Sequence, residues 1–159
     1  MDKENSVQHP LFKTSIKYTF EEYKDFTKAI YRYVYKVHIM LLVIIAALLI
    51  LFAITKNFMA ILAAVAFPLF FVYFMNREIK KVYESNRVLK DNFSVFDFYD
   101  KYFEQTNAVS HSVVKYSDIY KIVETDKNIY IMVAKNEGYI LLKSNCSKEL
   151  IEFLKSIKK

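Results

Sequence analysis

The chain has 159 residues, of which 54% are hydrophobic, with a formal net charge of +6, one glycine, two prolines and one cysteine. That length allows one modest domain with an anchor, and the composition disfavours disordered linkers. Gly138 standing alone excludes the glycine-rich phosphate loops of Walker and Rossmann sites, and Cys146 standing alone excludes an internal disulfide.

At the start of the chain, Ile16 and Tyr18 alternate against Lys17, so Ser15–Thr19 reads as a strand. Whether that strand joins a later sheet is open. Thr19 and Glu22 have capping-box spacing, which predicts a helix from about Phe20. Phe26, Ile30 and Val34 give that helix an apolar stripe, while Lys24, Lys28, Arg32 and Lys36 give it a basic one. The strand and this amphipathic helix make up residues 1–36, and the helix is expected to run straight into the next segment.

Val37–Thr55 carries no charge apart from a titratable His38 at its entrance, and its length as a helix is about 28 Å, a bilayer's hydrocarbon thickness. After Lys56 and Asn57, Phe58–Met75 is a second uncharged run of similar length. Residues 37–75 therefore read as a transmembrane hairpin, 37–55 and 58–75, with Pro68 tolerated in its second helix. Ala46 and Ala53 on one helix, and Ala60 and Ala64 on the other, offer small-residue strips for close packing. Lys28, Arg32 and Lys36 precede the hairpin and Arg77, Lys80 and Lys81 follow it, whereas its turn has Lys56 alone. The positive-inside rule then predicts a multi-pass protein of the cell membrane with both termini cytoplasmic, with Tyr31, Tyr33, Tyr35 and Tyr73 at the interfaces. The net charge is accounted for by the lipid bilayer and its anionic heads rather than by nucleic acid.

Residues 76–92 read as a helical stalk in which Ile79, Val82 and Leu89, and beyond it Phe93, continue an apolar pattern interrupted at Asn86, paired with the first amphipathic helix. From residue 93 to 159 the pattern changes to short β-branched and aromatic runs. Candidate strands are Phe93–Phe98, Lys101–Thr106, Ser110–Tyr116, Ile119–Glu124, Ile129–Ala134 and Tyr139–Leu142. Thr125–Asn128 and Lys135–Gly138 read as hairpin turns, the second using Gly138 for a left-handed backbone position. Ile129–Ala134 is apolar on both alternating sets and is expected to be covered on both faces. Ser147 is placed to cap a last helix whose Leu150, Ile151, Leu154 and Ile157 share one side, with Lys155, Lys158 and Lys159 near its negative end. The expected fold is an α+β membrane protein. A two-helix hairpin with amphipathic helical extensions carries a small antiparallel β-domain closed by a C-terminal helix.

Lys115-Tyr116-Ser117-Asp118-Ile119, then Ile122, the Ile129–Met132 strand and the Tyr139–Lys143 strand, carry a resemblance. With Glu22 and Tyr23 in the leading helix and a two-helix anchor before them, the chain resembles the YcxB-like membrane proteins of bacteria. The resemblance implies a pleckstrin-homology-like (PH-like) domain, a bent sheet capped by a helix, and supplies no catalytic residues. The family's basic residue after the last strand is often followed by an aromatic, whereas here Ser144, Asn145 and Cys146 follow Lys143.

His9, His38 and His111 have no spacing that gathers metal ligands, and Asp97, Asp100 and Glu104 read as solubilising charges on strands and turns. A nucleophile elbow lacks its glycines, and Cys146 has no nearby histidine in sequence. The chain is thus expected to be no enzyme and to use no cofactor. Asp118 after Ser117 reads first as a turn residue, with Tyr116, Asp118 and Lys143 as candidate contacts to an unknown protein partner. The leading expectation is a non-enzymatic module tethered to the membrane. Its alternative is an immunity or stress-protection protein against peptide toxins or membrane perturbants, and a third reading is a lipid-acting enzyme that uses Asp97 and Asp100. No motif encodes an oligomeric state.

Overall fold

The computed structural model describes residues 9–86, 90 and 92–157. Two compact units emerge: one is residues 20–86, the other residues 9–19 together with the described residues from 90 onward.

The helical unit opens with α1 (Phe20–Ala29), starting where the capping spacing places it. Instead of running on, α1 widens into a π-turn over Ile30–Val34, in which the Tyr35 N–H donates to the Ile30 carbonyl at 3.0 Å. Lys36 then takes a left-handed conformation (φ 53°), so the expectation of a continuous helix is corrected. The five-residue reach of that hydrogen bond takes up an extra residue, and the left-handed lysine re-aims the chain. α2 (Val37–Thr55) follows, then a turn with Lys56 at φ 56°, then α3 (Phe58–Ser85), whose first turn is capped by Asn57 Oδ1 accepting from the Met59 N–H at 3.0 Å.

No residue of α2 is buried, although its apolar window has a mean hydropathy of 3.2. Both helices are long and apolar enough to cross a membrane. Ala60 and Ala64 are buried on α3, but Ala46 and Ala53 are exposed, so the second small-residue strip forms and the first does not. The less exposed side of α2 is Leu41, Ile45, Leu48 and Phe52 at helical spacing. Alanines on one helix suffice for close approach, and bulky residues on the other fill the space. Beyond Met75, Ile79 and Tyr83 are buried, and the Tyr83 ring meets Phe20 and Tyr23 at 5.6 and 5.9 Å, so α1 pairs with the end of α3. That helix ends at Ser85, with Asn86 extended, which shortens the expected stalk; Leu89 lies outside the described residues.

The other unit is built of antiparallel strands. β1 (Phe12–Lys17), β2 (Phe93–Phe98), β3 (Tyr102–Asn107) and β4 (His111–Lys115) form one sheet in that order; β5 (Lys121–Glu124), β6 (Asn128–Met132) and β7 (Gly138–Leu142) form a second. The early strand begins three residues before its expected start and does join the sheet, with Phe12 opposite Phe98 and Lys17 opposite Phe93. Residues 20–91 are therefore inserted between two neighbouring strands, and the Tyr18 N–H donates to the Asn92 carbonyl at 2.8 Å where the chain leaves and returns.

The period-two pattern sorts the first sheet's faces. Phe98 and Phe103, then Phe96 and Gln105, then Ile16 and Ser94 pair across strands on the buried face. Lys13 and Asp97 pair on the outer face, as an ion pair of 2.9 Å. All five residues of β6 are buried, as its two apolar sets require. Tyr139 of β7 meets Phe96 and Phe103 edge-on at 6.0 and 5.2 Å and so joins the two sheets. α4 (Lys148–Ile157) is capped by Ser147 Oγ, which accepts from the Leu150 N–H at 3.1 Å. It buries Leu150 and Leu154 and sets Phe153 against Phe12 and Tyr116; Lys158 and Lys159 lie outside the described residues.

Gly138 is not left-handed, which corrects the turn reading. The tight turn starts at Val133, with the Val133 and Ala134 N–H groups both donating to the Glu137 carbonyl, and Gly138 already pairs with Met132. A Cβ at Gly138 would lie 2.6 Å from the Ile131 carbonyl oxygen, so close backbone approach requires the glycine.

Candidate binding site

At one end of the first sheet the β2–β3 turn folds back on itself, with the Tyr99 N–H donating to the Tyr102 carbonyl at 2.9 Å and their rings stacked 4.7 Å apart. A 3-10 turn, Tyr116–Asp118, follows β4 and is pinned to the β2–β3 turn. The Tyr116 hydroxyl donates to the Tyr99 carbonyl at 2.7 Å and its N–H to the Lys101 carbonyl at 3.1 Å. Burial and then the nearby Asp100 charge push the Tyr116 phenol well above its ordinary pKa, which keeps it a donor.

These two turns border a concavity of about 930 Å³ lined by Asp100, Lys101, Tyr102, Lys115, Tyr116 and Ser117. Lys101 and Lys115 are exposed and form no ion pair with a described residue. The arrangement offers two exposed cations, a hydroxyl and aromatic edges around one carboxylate, a set suited to a polar or acidic segment.

Of the three expected contact residues, Tyr116 lines the concavity, and Asp118 is exposed on the same turn, accepting from the Ser117 hydroxyl at 2.8 Å. Lys143 does not join them. Its Nζ pairs with Glu124 at 2.7 Å and its N–H donates to the Lys127 carbonyl, so it belongs to the second sheet's own edge. Sequence reading missed Lys101, Tyr102 and Lys115, although a correct hairpin register, which sets Tyr102 opposite Lys115, would have brought them together.

The corner after Lys143, at Ser144, Asn145 and Cys146, is a clamp on β1. Thr14 donates to the Asn145 carbonyl and Asn145 Nδ2 to the Ser15 carbonyl, both at 2.8 Å, and the Cys146 thiol lies 3.7 Å from Thr14 Oγ1. Burial pushes the thiol's pKa up, away from nucleophilic use.

In the helical unit Lys28, Arg32, Lys36, Arg77, Lys80 and Lys81 are all exposed, and Lys80 lies 3.8 Å from Glu84. A second hollow, a groove of about 330 Å³, runs between Tyr23, Thr27 and Tyr31 on one side and Phe71, Phe74, Met75, Glu78, Ile79 and Val82 on the other.

The family model described as YcxB-like protein matches residues 98–157, from the last residue of β2 to the last residue of α4. No curated protein and no solved structure matches the chain.

Proposed function

With residues 98–157 a YcxB-like domain, we propose that the protein is a non-enzymatic, membrane-anchored binding module. One observation carries the reading: α2 has no buried residue, yet large side chains such as Leu42, Ile50 and Ile54 are exposed along it. At about 25 cal/mol per Å² such a surface is untenable in water, and lipid tails solvate it. The strand pairing of β1 with β2 requires the intervening chain to cross the bilayer an even number of times. Two crossings leave the β-unit whole on one side, and the basic flanks, against Lys56 alone in the turn, favour the cytoplasm.

The four-stranded and three-stranded sheets closed by α4 support a pleckstrin-homology-like domain. Its binding face is the concavity around Tyr116, where Lys101 and Lys115 await an acidic or polar segment of a protein partner.

Washing membranes with carbonate and labelling single cysteines in a Cys146→Ser background tests the anchor. Lys56→Cys should react with an impermeant maleimide in intact cells, and Ser117→Cys only after permeabilisation. Release of the protein into the wash, or labelling of Ser117→Cys from outside, overturns the anchor. A photo-crosslinker at Ser117 should trap one defined partner that Lys101→Glu with Lys115→Glu releases. Turnover of a defined substrate by the purified protein overturns the non-enzymatic reading.

A further inference from the structure

β4 is an outer strand of the first sheet: it pairs with β3 and, among the described residues, with no strand on its other side. The phase of that ladder follows from its two ends. There the Asn107 N–H donates to the Ser110 carbonyl at 2.9 Å and the Tyr116 N–H to the Lys101 carbonyl at 3.1 Å. Because bonded and non-bonded pairs alternate along an antiparallel ladder, Ser112 and Val114 turn their backbone groups toward β3. His111, Val113 and Lys115 turn theirs outward, where no backbone hydrogen bond among the described residues uses them. Such a row of donors and acceptors is a template for another strand. β4 is also the one strand of its sheet without a buried residue, and Val113 is 55% exposed.

Charge chooses the occupant. Residues two apart on a strand share a face, so an added strand sets one side chain beside Val113 and another, two positions on, beside Lys115. Lys115 also lines the concavity with Lys101; both are exposed, and neither forms an ion pair with a described residue. Asp100 is the one carboxylate in that lining and is outnumbered by the two cations. A carboxylate on the added strand therefore finds its counter-charge at this end of β4. A second copy of β4 supplies none: paired antiparallel about Val113, it sets His111 of one copy against Lys115 of the other. A lysine on an outer strand works against such self-pairing.

We infer that β4 takes an extended segment of a protein partner as an added antiparallel strand, with an apolar side chain beside Val113 and a carboxylate two residues away beside Lys115. The inference rests on the binding reading above and adds the segment's conformation and residue pattern.

The probe is a fluorescent synthetic peptide of valine-threonine-glutamate-threonine repeats, titrated with the full chain in detergent and followed by anisotropy. It should bind saturably and slow hydrogen exchange at the His111, Val113 and Lys115 amides. Exchanging its glutamates for lysine, or N-methylating its valines and glutamates, should weaken binding roughly ten-fold or more, through lost charge pairs or lost ladder hydrogen bonds. Val113→Pro removes a donor that the sheet itself does not use, so it should weaken binding to a similar degree while thermal unfolding changes little; Val113→Thr should keep binding. No saturable binding, or equal binding of the N-methylated peptide, overturns the inference. So does a dimer of the full chain that Val113→Pro dissolves, which makes a second copy the occupant. If the crosslinker at Ser117 traps a partner that Lys101→Glu with Lys115→Glu releases but Val113→Pro does not, this inference alone fails. If it traps nothing, the binding reading fails with it.

Discussion

Gly138 shows how a residue can be correctly singled out for the wrong reason. A lone glycine beside a hairpin suggests a positive φ, but the position is an ordinary strand residue pressed against the Ile131 carbonyl across β6 and β7. Gly138→Ala should destabilise the β-unit by about 1–3 kcal/mol, because the contact is with backbone that cannot swing aside; thermal unfolding of the full chain in detergent measures it. Tyr18 was legible as an inward strand residue, but its polar surroundings were not. Its hydroxyl contacts Ser94 and the Ile140 main chain, and Gln105 Nε2 donates to Ser94 Oγ at 2.8 Å, a buried network assembled from four separate strands and turns. Burial raises the phenol to about 12. A group whose folded pKa exceeds its unfolded value of about 10 gives full stability below pH 10 and loses it as pH climbs to 12. Denaturant titrations should show a loss of about 2–3 kcal/mol over that window, and Tyr18→Phe should remove this part of the pH dependence.

Among the elements, the two long helices were the easiest to read, since apart from a titratable His38 no charged residue occupies 37–55 or 58–75, and the strand register was the hardest. Periodicity fixes which face a residue takes, yet it does not say which strand lies opposite; Tyr116 was recognised while its neighbours Lys101 and Lys115 were not. It also gave no warning of the break at Lys36, because a single left-handed lysine leaves no mark on hydrophobic spacing. Packing of α2 on α3 depends on Ala60 and Ala64, where any larger side chain forces the backbones apart. Ala60→Leu with Ala64→Leu should cost about 1–3 kcal/mol in hairpin packing. Cysteine crosslinking between α2 and α3 in membranes should fall accordingly, whereas Ala46→Leu with Ala53→Leu, on the exposed side, should leave it intact.

For the whole molecule, the pairing that organises the fold joins β1 to β2 across the entire helical segment, and local sequence patterns carry no such long-range information. The early strand is outside the family match, which begins at residue 98, yet Ile16 is among the largest fully buried side chains. Ile16→Ala should therefore cost the β-unit about 2–5 kcal/mol, seen as faster proteolysis within residues 92–157, while cleavage within the helical unit is unchanged.

The hydrogen bond between Tyr18 and Asn92 has a practical corollary. Because the polypeptide departs and comes back at adjoining points, its greasy segment behaves as a removable cassette rather than as a spine. Splicing Thr19 to Asn92 through a few polar residues should yield a water-soluble seven-stranded protein, and an unrelated pair of spans dropped into the same gap should tether it again.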